Sequence, residues 1–447
     1  MSAVRQSTSS STGAMKVLAT LLVVFVAGIA TAKKSYHGHR LVSVKAADKQ
    51  QFDVLDRMLR TAQPWLDFWS LPVINKTSVI RVPPGSYDLF MKRMGLANIG
   101  VTLKENDVED YLQRSRMPVN GPHAETSPFI GWTGGITTHT AYKRYQEIVN
   151  LLTGMRNSFP SLVKEVDVLN TRTYEGRSIS YIRLGTGGDK PVIFIEGLIH
   201  AREWIVGGSL MYFMDRLLSR YGLDAEATFL LDTYDIYVVP VTNPDGYEYS
   251  HTSQRLWRKN RSVPRNGCRG VDLNRNFDAF WGTLGVSTNC NSDIYCGPSV
   301  FSEAEAQGIR DKVSEINAGG QRLHAYLAVH SYSQLVLTPY SYDYVKPDNF
   351  VEVEAAAAEM TNALRLPFNT DYRWGHGPTT LYPVSGASDD WGMLGGGARY
   401  TFTYELRPKE ANFEISPTNI IPNGYEFWLS VVALGCNMNG ISATCNF

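Results

Sequence analysis

Residues 191–218 read PVIFIEGLIHAREWIVGGSLMYFMDRLL, and this stretch decides the fold. Residues 191–195 are an apolar run short enough for a strand buried on both faces. A polar break follows at 197–204. Residues 203–221 then place Gly207, Leu210, Met214 and Leu217 at three-to-four spacing. That is the period of an amphipathic helix, and Gly222 can cap its end. Outward from this unit, strands are predicted at 236–241, 325–329 and 400–406, and a helix at 351–364. The capping box Ser302-Glu303-Ala304-Glu305 opens another helix. Strands alternating with helices from Trp132 onward predict an α/β domain with a mixed, largely covered sheet and helices on both faces.

Residues 40–103 have a different rhythm. Strands are predicted at 40–44, 65–69, 78–82 and 99–103, and helices at 47–60 and 86–94. The order βαββαβ suggests a small ferredoxin-like α+β module. A further helix at 107–114 runs into Arg114-Ser115-Arg116, and 117–127 holds Pro118, Gly121 and Pro122, a linker composition. A basic pair before a flexible linker invites trypsin-like cleavage at an exposed site. An ordinary linker that carries two arginines reads equally well.

The compartment is read from residues 15–32, MKVLATLLVVFVAGIATA. Lys16 supplies a positive start, 17–30 an apolar run and Ala30-Thr31-Ala32 a small-residue cleavage site, the pattern of a secretory signal peptide. The run is shorter than the roughly 17–25 residues of a membrane span. Met15 competes with Met1 as the true start. Secretion permits disulfides. Cys268, Cys290, Cys296, Cys436 and Cys445 form no C-x-x-C, and an odd count leaves one thiol free or bound to another molecule. Asn75 and Asn260 stand in glycosylation sequons.

Of the 447 residues, 43% are hydrophobic and 19% charged, with 43 Lys and Arg against 43 Asp and Glu. Zero net charge argues against a nucleic-acid binder working through bulk positive charge. Ordinary apolar content argues against disorder.

The chemistry gathers where predicted strands end. His200 and Glu203 follow the 191–195 strand, and their i, i+3 spacing predicts one side of a helical turn, two corners of a metal tetrahedron. His330 ends the 325–329 strand and offers a third ligand. A lone histidine at a strand end is more often structural. Period-2 alternation along 400–406 puts Thr401, Thr403 and Glu405 on one face. A carboxylate in so apolar a strand is costly unless paired or functional. Arg407 is a candidate partner, and the functional alternative is a general base acting on water at the metal. Trp257-Arg258-Lys259 and Asn274-Arg275-Asn276 offer donors suited to carboxylates and oxyanions. The nearest serine-nucleophile elbow, Gly207-Gly208-Ser209-Leu210-Met211, lacks its final glycine and falls inside a predicted helix.

Together these residues resemble the zinc metallocarboxypeptidases of the pancreatic carboxypeptidase A/B type. The likeness rests on HAREW at 200–204, LWRK at 256–259, VDLNRNFD at 271–278, HSYSQ at 330–334, LYPVSG at 381–386 and TYELR at 403–407, in the family's order. It implies one zinc ion held by His200, Glu203 and His330, with Glu405 as general base and Arg258 stabilising the oxyanion. It assigns the terminal carboxylate of the substrate to Asn274, Arg275 and Tyr382, with Arg202 in the outer recognition shell. Asp389 and the small Gly377 resemble the B type, which releases C-terminal Lys or Arg. The rivals are A-type preference for aliphatic or aromatic ends, and an inactive peptide-binding relative, which would have lost a ligand or the base.

The chain then divides into a leader and signal peptide at 1–32, an inhibitory propeptide at 33–116 and the enzyme at 117–447. The implied protein is a secreted zymogen cut by a trypsin-like protease after Arg114 or Arg116, acting on peptide and protein C-termini as a monomer, with no membrane span once mature. The resemblance also suggests a Cys268–Cys290 disulfide. That leaves Cys436 with Cys445 as a local pair and Cys296 as the odd thiol.

Overall fold

The computed structural model describes residues 33–61, 66–116, 139–263 and 267–441. The leader, the linker at 117–127, Trp65 and Cys445 lie outside the described residues.

The first module runs β1 (Arg40–Lys45), α1 (Lys49–Arg60), β2 (Asp67–Phe68), β3 (Thr77–Val82), α2 (Tyr87–Leu96), β4 (Val101–Glu105) and α3 (Val108–Arg116). Asp48 starts α1 by accepting the Gln51 amide at 2.8 Å. The sheet order is β2-β3-β1-β4, antiparallel throughout. Alternate residues Val42, Val44, Ile80 and Val82 pack against Leu55 and Leu59 of α1 and Phe90 and Met94 of α2. This is the ferredoxin-like module, with its second strand only two residues long.

The second part runs α4 (Tyr145–Ser158), β5 (Val163–Arg172), β6 (Ser178–Leu184), β7 (Val192–Gly197), α5 (Trp204–Arg220), α6 (Ala225–Thr233), β8 (Asp235–Val239) and α7 (Pro244–Thr252). It continues with α8 (Ala304–Ala318), β9 (Leu323–Ser331), β10 (Leu335–Thr338), α9 (Phe350–Arg365) and β11 (Arg373–His376). Last come α10 (Gly377–Thr380), α11 (Ser388–Leu394), β12 (Tyr400–Leu406) and α12 (Ile420–Met438). The strands form one mixed sheet, β11-β10-β12-β9-β7-β8-β6-β5. Its centre, β12-β9-β7-β8, is parallel. Along β7, Ile193 and Ile195 pack with Leu210, Met214, Phe427 and Trp428 of α5 and α12, while Val192 and Phe194 pack with Ile309, Val313 and Trp391 of α8 and α11. Both faces are therefore covered, as the unbroken apolar run requires.

The predicted capping box does not form. Glu303 is the N-cap of α8, and its carboxylate is occupied by Asn260 Nδ2 at 2.7 Å and Ser302 Oγ at 2.8 Å. The two side chains of the box are taken by buried amides instead: Ser302 Oγ accepts from Asn276 Nδ2 at 3.0 Å and Glu305 Oε2 from Asn260 Nδ2 at 3.1 Å. The same bond settles a sequon: Asn260 is fully buried and has no room for a glycan, whereas Asn75 is exposed. Cys268 and Cys290 are disulfide-bonded. Cys296 is buried and free, and Cys436 is also disulfide-bonded. Among the described residues no helix is long and apolar enough to cross a membrane.

Candidate active site

Parallel strands bring their C-terminal ends to one edge, where ligands of open α/β sheets bind. β7, β9 and β12 deliver His200, His330 and Glu405 there, with Glu405 and His330 paired in register. His200 and Glu203 do not share a helical turn as predicted. They lie on the bend between β7 and α5, entered through Leu198 at a φ of 50°. Backbone groups of this bend bond to tertiary partners: Ala201 N donates to Arg258 O at 3.0 Å, and Ile199 O accepts from Asn243 Nδ2 at 3.1 Å. The bend still brings the side chains together.

His200, Glu203 and His330 are all buried, and their ligand atoms lie within 4.8 Å of one another. His200 Nδ1 is 2.8 Å from Glu203 Oε1, and His330 Nδ1 is 3.3 Å from Glu203 Oε2. Two imidazole nitrogens and one carboxylate fit a tetrahedral zinc ion with a fourth position open. Asp272, which the spacing analysis assigned no role, accepts from His200 Nε2 at 3.1 Å. It thereby turns Nδ1, with its lone pair, toward the other ligands. Burial alone would raise its pKa, but Arg258, Arg275 and His200 hold Asp272 well below the usual carboxylate range. Asp272 Oδ2 also accepts from Arg258 Nη2 at 2.9 Å.

One cavity of about 70 Å³ joins these residues to Arg258, Asn274, Arg275, Tyr382, Asp389, Thr403 and Glu405. Burial pushes Glu405 up to about 8, with Glu203 adding to the shift and His330 opposing it. Arg275 is fixed by Nε on Gly285 O at 3.0 Å and Nη1 on Asn274 O at 2.7 Å. Gly386, at a φ of 75°, lets the 381–387 loop approach Arg275: a Cβ there would stand 2.4 Å from Arg275 O. The paired acids Asp389 and Asp390 separate by partner. Asp390 accepts the amides of Ser341 at 2.9 Å and Tyr342 at 3.0 Å. Asp389 lines the cavity, and its buried Oδ2 has no hydrogen-bond partner. Burial raises the pKa of both. Gly377 touches the cavity only through Ser341, whose Oγ a Cβ at 377 would meet at 2.6 Å.

Arg202 does not line this cavity. It is 1% exposed, stacks on Phe413 at 4.1 Å and bonds Asp67 of the first module at 2.9 Å. Asp67 also takes Arg81 at 3.1 Å and Trp69 Nε1 at 3.0 Å. Trp69 and Ser70 form part of the cavity wall, and Trp69 O accepts from Tyr332 OH at 3.0 Å. Lys76 Nζ bonds the carbonyls of Thr379 and Thr380 at 2.8 Å and of Leu381 at 3.3 Å, directly before Tyr382. The first module thus forms part of the wall of the cavity. No sequence signal marked Asp67 or Lys76, since their partners are 135 and over 300 residues away. Arg114 pairs with Glu105 at 2.6 Å and Arg116 with Glu414 at 2.7 Å.

The zinc carboxypeptidase family profile matches residues 148–430, and the carboxypeptidase activation peptide profile matches 42–115. Carboxypeptidase A2 of Mus musculus is 34% identical over 422 residues, covering 92% of this chain and 96% of the relative. Carboxypeptidase B of Canis lupus familiaris is 34% identical over 419 residues, again covering 92% and 96%. The crystal structure of carboxypeptidase A from Helicoverpa armigera matches with a TM-score of 0.79 at 28% identity, covering 92% of this chain and 99% of that one. The chain belongs to the zinc carboxypeptidases. It is a metallocarboxypeptidase, a hydrolase of peptide C-termini whose metal is zinc, and it carries an activation peptide.

Proposed function

We propose that the chain is a secreted, monomeric B-type zymogen that releases C-terminal Lys or Arg after a trypsin-like protease removes residues up to Arg116. The observation that carries the specificity is Asp389, a buried carboxylate with one unpartnered oxygen on the wall of the cavity that also holds the three metal-ligand candidates. A lysine or arginine side chain would satisfy that oxygen, and an apolar side chain would leave it orphaned. Asp390, tied to two amides, does not compete for the role. Relatives named for A and B types stand at equal identity, so the preference rests on this residue.

In this reading His200, Glu203 and His330 hold the ion. Bound zinc supplies Lewis-acid polarisation of the scissile carbonyl and acidifies water. Arg275, Asn274 and Tyr382 clamp the terminal carboxylate, which positions the last peptide bond and no internal one. Glu405 takes the proton of the attacking water and passes it to the leaving amine. Arg258, oriented by Asp272, faces the charge developing on the carbonyl oxygen. Arg116 is favoured over Arg114 as the cleavage site because the bond after Arg114 lies inside α3, whereas Arg116 is its last residue. The test is to treat the purified zymogen with trypsin and compare otherwise identical peptides ending in Arg, Lys, Phe and Leu. A large preference for the basic ends is expected. Faster release of Phe or Leu overturns the assignment of Asp389.

A further inference from the structure

Beneath the cavity lies a buried acid that the mechanism above does not use. Glu196 is the penultimate residue of β7 and is 1% exposed. Among the described residues no Lys or Arg forms an ion pair with it, and His330 is the positive group it feels. Glu196 Oε1 instead bonds the hydroxyl of Ser388, the first residue of α11, and the carboxyl also faces the hydroxyl of the buried Tyr326. A buried carboxyl is costly to keep unless it performs a task. Its surroundings name the task. Ser388 is fully buried, and its backbone amide donates to Asn274 Oδ1 at 2.9 Å. That bond occupies the acceptor end of the Asn274 amide, while the NH2 end lies 3.4 Å from His330 Nε2 and keeps a second N–H for a carboxylate. The residue after Ser388 is Asp389. One serine therefore joins the two poles of substrate recognition, the carboxylate clamp at Asn274 and the acid for the basic side chain. Without its hydroxyl partner, the first residue of α11 is held only by its backbone.

We propose that Glu196 is a positioning residue for substrate binding, acting through Ser388 to orient Asn274 and the start of α11. The Asp389 part of this role rests on the B-type reading. The Asn274 part does not, since every C-terminal substrate carries the carboxylate. Burial pushes Glu196 up to about 7, opposed by the Ser388 hydroxyl, the His330 imidazole and the Tyr326 hydroxyl.

The experiment compares wild type, Glu196→Ala, Glu196→Gln, Ser388→Ala and the Glu196→Ala/Ser388→Ala double variant. All are made as full-length zymogen, activated with trypsin and checked for one zinc per chain. KM and kcat are measured on peptides ending in Arg and in Phe. Glu196→Ala is expected to raise KM on both substrates by about tenfold, the order of one hydrogen bond to a charged group, with kcat within about twofold. Glu196→Gln, which can still bond Ser388, restores KM. Ser388→Ala matches Glu196→Ala, and the double variant adds nothing to either. Unchanged KM in Ser388→Ala, losses that sum in the double variant, or a fall in kcat alone overturns the proposal. If Glu196→Ala does not fold, Ser388→Ala and Glu196→Gln still decide it. A wild type without preference for Arg overturns the B-type reading, while the KM shift on the Phe peptide still reports on Glu196.

Discussion

Replacing Asp67 with alanine should loosen the activation peptide from the enzyme without touching the catalytic residues. Asp67 is 3% exposed and meets Arg202 at 2.9 Å and Arg81 at 3.1 Å. At an effective dielectric of about 20, one unit-charge pair at that distance is worth about 6 kcal/mol before desolvation is counted. Removing one partner of a buried pair costs about 3–5 kcal/mol, because the other charge stays buried and uncompensated. Here two guanidiniums lose their anion, although His39 Nδ1 remains 2.7 Å from Arg81. A loss of 3–5 kcal/mol multiplies the open form of the zymogen by about 10²–10⁴. The assay is hydrolysis of a small C-terminal substrate by uncleaved zymogen with a trypsin inhibitor present. Residual activity should rise by that factor until the open form saturates. The pH dependence has a definite sign. Although burial opposes it, Arg202 and Arg81 hold Asp67 well below the usual carboxylate range. Its contribution is therefore complete above its unfolded pKa of about 3.9 and is lost as pH falls further. The stability difference between wild type and variant, read from thermal melts, should be constant above about pH 4 and shrink below it. Unchanged residual activity in Asp67→Ala, or a difference that grows on acidification, refutes the reasoning.

Three further outcomes are expected. Glu405→Gln should keep zinc, measured by metal analysis, and lose turnover by about 10²–10⁴; retained activity would remove Glu405 from proton transfer. Asp272→Ala should weaken zinc binding by about 10–100-fold in chelator competition, since it orients His200 and pairs with Arg258. Lys76→Met in the zymogen should speed amide hydrogen exchange over 381–385, because three backbone carbonyls before Tyr382 lose their donor, and should leave the activated enzyme unchanged.

Much of the molecule was legible in sequence because its signals are local. The apolar run at 191–195 and the three-to-four spacing after it fixed β7 and α5 to within a residue or two at most ends. Period-2 alternation placed Glu405 and Thr403 on the cavity side, and Phe402, Tyr404 and Leu406 in the opposite core. Two local readings failed for one reason. Ser302 and Glu305 were expected to form a capping box, and His200 with Glu203 a helical turn. In both places partners distant in sequence take over: Asn276 and Asn260 bond the box side chains in the first case, and Arg258 and Asn243 bond the backbone of the bend in the second.

Residue identity and spacing alone thus pointed to the α/β class and the two-part division, and offered His200, Glu203 and His330 as separate candidates that only the family resemblance joined into one ligand set. Only the tertiary structure decided which of two adjacent acids faces the pocket. Asp389 and Asp390 are indistinguishable by composition, and Asp390 is withdrawn by the Ser341 and Tyr342 amides, 49 and 48 residues away in sequence. Only the tertiary structure showed that Arg202 is paired with Asp67 of the activation peptide. Ion pairs and buried hydrogen bonds act over a few ångströms of space and carry no period along the chain, so no pattern in the sequence announces them.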